Sequence, residues 1–356
     1  MNSRRYRKRL SVERDRLSSL PNDLIHKIFS YIGIKDVVRT SILSSKWRFI
    51  WTSTPYLNFS SNEFSSLLKF SESVTLVLSR RNNQIEVESV NLSLNGRVSQ
   101  AFVKRTLDYA FNHNVQHMTI ACLPEMKIRF PISLFTSHLV KHLTIIGSTI
   151  DRLTPTSTWE LPALTTLHIE NVTLYDEDDY YDNVDCDLLF SNCLNLKTLT
   201  LNNCNIMGSH GFNICHLQLT KLTLMNGNWG WELVNVVAPK LENLTIVNCD
   251  SVHLNSVPEL TSLIYGSRYS FQVSADGLPS LENVDVSIAK PCETDVYELV
   301  RLLQQLQSVK FLTLNLEIIE LLSSSAEVIS DQPSPFVNKF EKFSRKLGLG
   351  GSIAKQ

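Results

Sequence analysis

The chain has 356 residues, 43% apolar and 19% charged, which is enough material to bury a large core. A net charge of −1 removes any bulk electrostatic case for nucleic acid or an anionic membrane as partner. The seven cysteines are odd in number and contain no C-x-x-C pair, so they read as reduced thiols of a cytoplasmic or nuclear protein rather than a disulfide framework.

The first ten residues are basic and polar and lack the apolar run of a secretory leader. No stretch of 18 apolar residues follows, so neither secretion nor a membrane span is expected. The sequons at Asn58, Asn91, Asn171 and Asn243 are then expected to stay unglycosylated. Arg4, Arg5, Arg7, Lys8 and Arg9 read either as a nuclear-import signal or as a solvated, disordered leader over residues 1–14; the second reading is favoured.

Leu17 to Trp51 predict three short helices. Pro21 suits a first turn, Asp23 complements the helix dipole, and Leu24, Ile25, Ile28, Phe29 and Ile32 fall on one face, with Gly33 ending the helix. A second helix runs from Lys35 through Val37, Val38 and Ile42. Ser44 is a candidate N-cap for a third, on which Trp47, Ile50 and Trp51 share a face. So short a segment cannot cover this apolar surface alone. It packs either on the rest of the chain or on a partner, and composition does not choose.

The stretch D-R-L-S-S-L-P-N-D-L-I from Asp15, followed by K-D-V-V-R-T-S-I-L-S-S-K-W-R-F-I-W from Lys35 to Trp51, closely resembles the plant F-box. Asn22 stands where the family has an aspartate after the proline, Ser45-Lys46 replaces Lys-Arg, and Ile34 replaces the usual residues before the lysine. The resemblance implies docking on a Skp-type adaptor and through it on a cullin. Leu20, Pro21, Leu24, Ile25, Ile28 and Phe29 would supply the first contact helix. Ile42, Leu43, Trp47 and Trp51 would supply core and contact from the other two, although Trp47 and Trp51 also read as plain core residues.

Farther along, the unit L-x-x-L-x-[LI] recurs nine times, starting at Val115, Val140, Leu164, Leu196, Leu219, Leu241, Leu260, Leu281 and Val309, with a weaker copy at Val87. Successive starts lie 25, 24, 32, 23, 22, 19, 21 and 28 residues apart. Each unit predicts a short strand with one buried face, its first apolar residue packing beneath. Cys204 and Cys249 sit where such repeats bond turning backbone. Prolines at 162, 239, 258 and 279 end the preceding segments. Stacked units form a continuous core. The expected fold is α/β: a three-helix F-box at residues 15–60, a connecting helical segment with the weak repeat at 61–110, an irregular leucine-rich-repeat solenoid with parallel strands on its concave face at 111–320, and a tail at 321–356.

This order resembles the plant F-box/leucine-rich-repeat group over about residues 15–320. The run from Glu298 to Leu314 is similar to the helix and strand leading to a C-terminal FBD module, which is not recognisable after Leu322. The resemblance implies a non-catalytic subunit that holds a target protein for ubiquitination. Its target surface would be the outward strand residues Thr166, His168, Thr198, Thr200, Lys221, Thr223, Asn243 and Thr245. The alternative is a repeat scaffold or ligand sensor with a degenerate F-box.

Other features are weaker. Seven acidic residues from Asp176 to Asp187 form an insertion without EF-hand ligand order; they read as a solvated loop, with a cation site or a patch for basic targets as the alternative. Cys204, His210, Cys215 and His216 match no zinc spacing, so no metal or cofactor is expected. Trp229 and Trp231 either anchor a target or cover the solenoid edge. Phe336, Phe340, Phe343 and Leu347 predict a short helix capping the repeats, with disorder as the alternative. Enzyme signatures are absent.

Overall fold

A computed structural model of the protein describes residues 18–96, 98–122, 134–147, 152–153, 159–175, 190–207, 212–227, 234–249, 251–270, 273–275, 277–306 and 309–324. The basic leader, the acidic run after Tyr175, His210, Trp229, Trp231 and the tail phenylalanines lie outside them.

The ten repeat units become ten strands of one eleven-stranded parallel sheet, and a strand that precedes them, Tyr56–Ser60, supplies the eleventh: Tyr56–Ser60, Ser89–Leu94, His117–Cys122, His142–Ile146, Thr166–Glu170, Thr198–Asn202, Lys221–Met225, Asn243–Val247, Ser262–Ser267, Asn283–Ile288 and Phe311–Leu314. All neighbouring strands are parallel and stay in register. Side chains alternate across a strand, so each repeat sends two apolar residues to the same side. Leu167, Leu199, Leu222 and Leu244 stack in one buried row, and Ile169, Leu201, Leu224 and Ile246 in the next. The leading residue of each unit, such as Leu196, Leu219 and Leu241, is also fully buried.

Two smaller parallel ladders lie outside the L-x-x-L pattern. One has four strands, Phe212–Cys215, Val234–Val237, Val252–Ser256 and Val273–Ala275; the other has three, Arg152–Leu153, Thr173–Tyr175 and Asn205–Met207. In the first, Phe212, Ile214, Val234, Val236, Val252 and Leu254 add to the core.

Four consecutive repeats turn out of their strands through an asparagine. Asn171, Asn203, Asn226 and Asn248 follow their strands directly and hold φ of 54°, 49°, 50° and 48°. Asparagine tolerates this left-handed conformation better than other non-glycine residues. Their backbone N–H groups donate to the carbonyls of Asn202, Met225, Val247 and Gly266 on the next strand. Their side chains bond along the stack: Asn203 to Asn171 at 2.7 Å and Asn248 to Asn226 at 3.1 Å.

Five helices cover the N-terminal end: α1 (Asn22–Phe29), α2 (Ile34–Arg39), α3 (Trp47–Ile50), α4 (Leu67–Arg80) and α5 (Gln100–Asn112). Ser66 and Ser99 cap α4 and α5, accepting from the backbone N–H of Lys69 and Phe102 at 3.3 and 3.2 Å. Phe70 on α4 meets Phe102 on α5 edge to face at 5.5 Å. At the other end lie α6 (Asp295–Gln305) and α7 (Leu316–Ser324). No helix of the described residues is long and apolar enough to cross a membrane.

Two local expectations change. The first helix ends at Phe29, not at Gly33, and Gly33 is the N-cap of α2. A Cβ on Gly33 would overlap the carboxylate of Glu63, so the close approach needs glycine or a displaced Glu63. Ser44 is not a side-chain cap of α3; its hydroxyl instead accepts from Ser18 at 2.7 Å.

Candidate functional site

The amphipathic face of α1 divides into two. Ile25 and Phe29 are 0% exposed and form part of the core. Leu24 and Ile28, with Tyr31 just beyond the helix, point to solvent at 52%, 42% and 77% exposure. The expectation that Ile25 and Phe29 lie on the contact face is therefore corrected. Trp47, 3% exposed, meets Phe29 edge to face at 5.6 Å, and the two rings lock α3 against α1 from inside.

Ile42 and Leu43, between α2 and α3, are 87% and 57% exposed. Pro21 is exposed, and Leu20 and Trp51 are half-buried. Lys46 donates to the Leu20 carbonyl, and with the Ser18–Ser44 bond this ties the Leu20-Pro21 segment to the loop before α3. Leu24, Ile28, Ile42 and Leu43 thus remain as uncovered aliphatic side chains on a helical scaffold. Sequence reasoning passed over Tyr31 and Phe49, which are exposed as well. For Tyr31 the signal was its i+3 and i+7 spacing from Ile28 and Leu24.

The scaffold is tied to the sheet. Asn58, on the first strand, donates to the carbonyls of Ser30 and Ile32 at 2.8 and 3.1 Å and so satisfies the end of α1. Lys35 donates to the Glu63 carbonyl and lies 4.7 Å from the Phe64 ring centroid. Burial, helped by nearby Asp36, raises the Glu63 carboxyl above its ordinary range against the pull of Lys35 and Arg39. Burial also lowers His26, opposed by a bond to the Ile50 backbone and by Asp23.

On the sheet, the residues expected to face outward form two registered rows. Thr166, Thr198, Lys221 and Asn243 are successive neighbours, as are His168, Thr200, Thr223 and Thr245. Lys221 and Asn243 are exposed and the others half-buried. His168 contacts the Glu170 carboxylate at 3.2 Å.

Cys204 and His216 are engaged by backbone carbonyls, and Cys249 likewise. Cys204 bonds to the carbonyls of Ile169 and Asn202 at 3.4 Å each, and burial pushes its thiol up to about 11. Cys249 bonds to the Val247 carbonyl. His216 is buried against the Cys193 carbonyl at 2.8 Å.

Two domain families match the chain. The F-box domain covers residues 17–58, and the leucine-rich-repeat domain described as At1g61320/AtMIF1, LRR domain covers residues 78–330. Among curated proteins, the F-box/LRR-repeat protein At3g26922 of Arabidopsis thaliana is 30% identical over 70% of this chain and 81% of its own length. F-box/LRR-repeat protein At5g02910 of the same plant is 25% identical over 88% of this chain and 62% of its own length. F-box/FBD/LRR-repeat protein At1g51370, also from Arabidopsis thaliana, is 33% identical over 48% of this chain, which spans 38% of that relative. With helices at the F-box, a registered parallel sheet behind them and both domains matched in this order, the chain belongs to the F-box/leucine-rich-repeat family of plant proteins.

Proposed function

We propose that the chain is a non-catalytic, substrate-recognition subunit of a Skp–cullin–F-box ubiquitin ligase. The observation that supports this reading is the set of aliphatic side chains left uncovered on the F-box, Leu24, Ile28, Ile42 and Leu43, on helices whose opposite faces are sealed into the chain. Such anchors suit insertion into the groove of a helical adaptor. The outward rows from Thr166 to Thr245 would grip the target, held apart from the adaptor surface by the length of the sheet. The subunit then acts by raising the effective concentration of target beside a ubiquitin-charged enzyme.

The test is co-precipitation of the full chain with a Skp-type adaptor. Binding by wild type, lost in Leu24→Asp/Ile28→Asp and retained in Thr200→Ala/Thr223→Ala, supports the proposal. Failure of the wild type to bind overturns it. Loss of one central anchor by truncation to alanine should weaken binding by about 2–4 kcal/mol.

A further inference from the structure

His117 and His142 occupy the same position on adjacent strands and are registered Cα partners on the outward face of the sheet. Their imidazoles touch, with ring centroids 4.5 Å apart and planes at 89°. His142 is exposed and His117 half-buried. Neither ring hydrogen-bonds to any described residue, unlike His168 on the same sheet, which engages Glu170. On the same row their neighbours are Ser89 and Thr166, and one step along the strands lie Thr119 and Thr144, all too short to cover the rings. Burial, followed by the influence of His117 and Lys141, lowers the pKa of His142.

We infer that His117 and His142 form a two-histidine chelating site for a borderline divalent transition-metal ion such as Cu²⁺ or Zn²⁺. The chemistry follows from the donors. Neutral imidazole is the preferred side-chain ligand of these ions. Two metal–nitrogen bonds of about 2.0–2.1 Å that share one ion need nitrogens roughly 3 Å apart. Rings already in van der Waals contact reach that separation by rotation about χ2, whose energy wells are broad. No third histidine, cysteine, aspartate or glutamate joins the pair among the described residues, so water completes the coordination. The site is open and modest in affinity, and Cu²⁺ binds ahead of Zn²⁺.

The experiment is a Cu²⁺ titration of the full-length protein, read by electron paramagnetic resonance and by competition with a chelator of known affinity. Wild type is expected to take up one ion with a two-imidazole nitrogen pattern. His117→Asn or His142→Asn should weaken uptake at least tenfold, and the double variant should abolish the two-nitrogen signal. His168→Asn should leave it unchanged. Cu²⁺ should also raise the melting temperature of wild type and not that of the double variant, because an ion bound only to the folded state stabilises it. A two-nitrogen signal surviving in the double variant overturns the inference, as does a wild-type spectrum without paired imidazoles. Neither result bears on adaptor binding.

Discussion

The Nε and Nη2 atoms of Arg81 donate to the carbonyl oxygen of Thr54 at 3.2 and 3.0 Å. The remaining donors reach the carbonyls of Ile85 and Glu86 at 2.8 Å each and the Tyr109 hydroxyl at 3.4 Å. All five guanidinium N–H groups are thereby engaged. Arg81 is 4% exposed, and Thr54 immediately precedes the proline that leads into the first strand of the sheet. One buried side chain thus joins the end of the F-box, the C-cap of α4 and the entry to the second strand.

Arg81→Met keeps most of the aliphatic packing and leaves the buried Thr54 carbonyl and the half-buried Ile85 and Glu86 carbonyls without this donor. The expected loss is about 3 kcal/mol of unfolding free energy, since each stranded polar group costs about 1–3 kcal/mol. Arg81→Lys should recover only part, because an ammonium cannot span the same carbonyls. Urea denaturation checks this. A loss below about 1 kcal/mol would contradict the assigned role of the guanidinium network.

The two faces of α1 should respond to substitution in opposite ways. Phe29→Ala removes a fully buried ring that packs on Trp47, and about 3–5 kcal/mol of stability is expected to go with it. Ile28→Ala removes a solvent-facing side chain and should change stability by less than about 0.5 kcal/mol. Thermal or urea unfolding of both variants separates these outcomes. Equal effects would mean that the division of the helix face is wrong.

The asparagine stack gives a conformational test. Asn248 has φ of 48° and donates to Asn226 at 3.1 Å. Asn248→Ala forces an alanine into the left-handed region and removes the side-chain bond, a combined cost of roughly 1–2 kcal/mol. Asn248→Gly loses the bond alone and should cost less, despite the added freedom of the unfolded chain. If glycine proves worse than alanine at this position, backbone conformation does not explain the asparagine.

His216 makes stability depend on pH. Its pKa is lowered from an ordinary 6.5 first by burial, with the Cys193 carbonyl acting in the opposite direction. The unfolded chain therefore takes up a proton more readily than the folded one, and stability rises with pH across the interval between the two values. The full contribution is present above pH 6.5 and is lost as the pH falls from there through the folded-state value. His26 and His142, also lowered chiefly by burial, act in the same sense. Unfolding free energies measured from pH 7.5 down to 5 should fall, and His216→Gln should flatten the slope. An unchanged slope in the variant would remove His216 as a contributor.

Much of the fold was legible because the repeat is a local pattern. A strand is specified by alternation over a few residues, and L-x-x-L-x-[LI] gives both the strand and its buried side. Each copy then stacks on a near-identical neighbour, so Leu199, Leu222 and Leu244 were bound to align once the units formed a parallel sheet. The F-box helices were legible from their spacing and their resemblance to a known family. The asparagines at 171, 203, 226 and 248 carried a signal at a fixed offset, one residue past four consecutive strands, that the leucine pattern overshadowed.

Sequence alone could not divide the stripe of α1 between core and solvent. Helical spacing puts Leu24, Ile25, Ile28 and Phe29 on neighbouring lines but is silent on what arrives to cover them. Trp47, eighteen residues beyond Phe29, covers Phe29, whereas no described residue seals Leu24 or Ile28. The Arg81 junction was equally hidden, because its principal acceptor, Thr54, lies 27 residues away in the chain. Short-range periodicity is written into consecutive side chains. Burial and the pairing of polar groups depend on which distant segments meet, and the folded chain alone decides that.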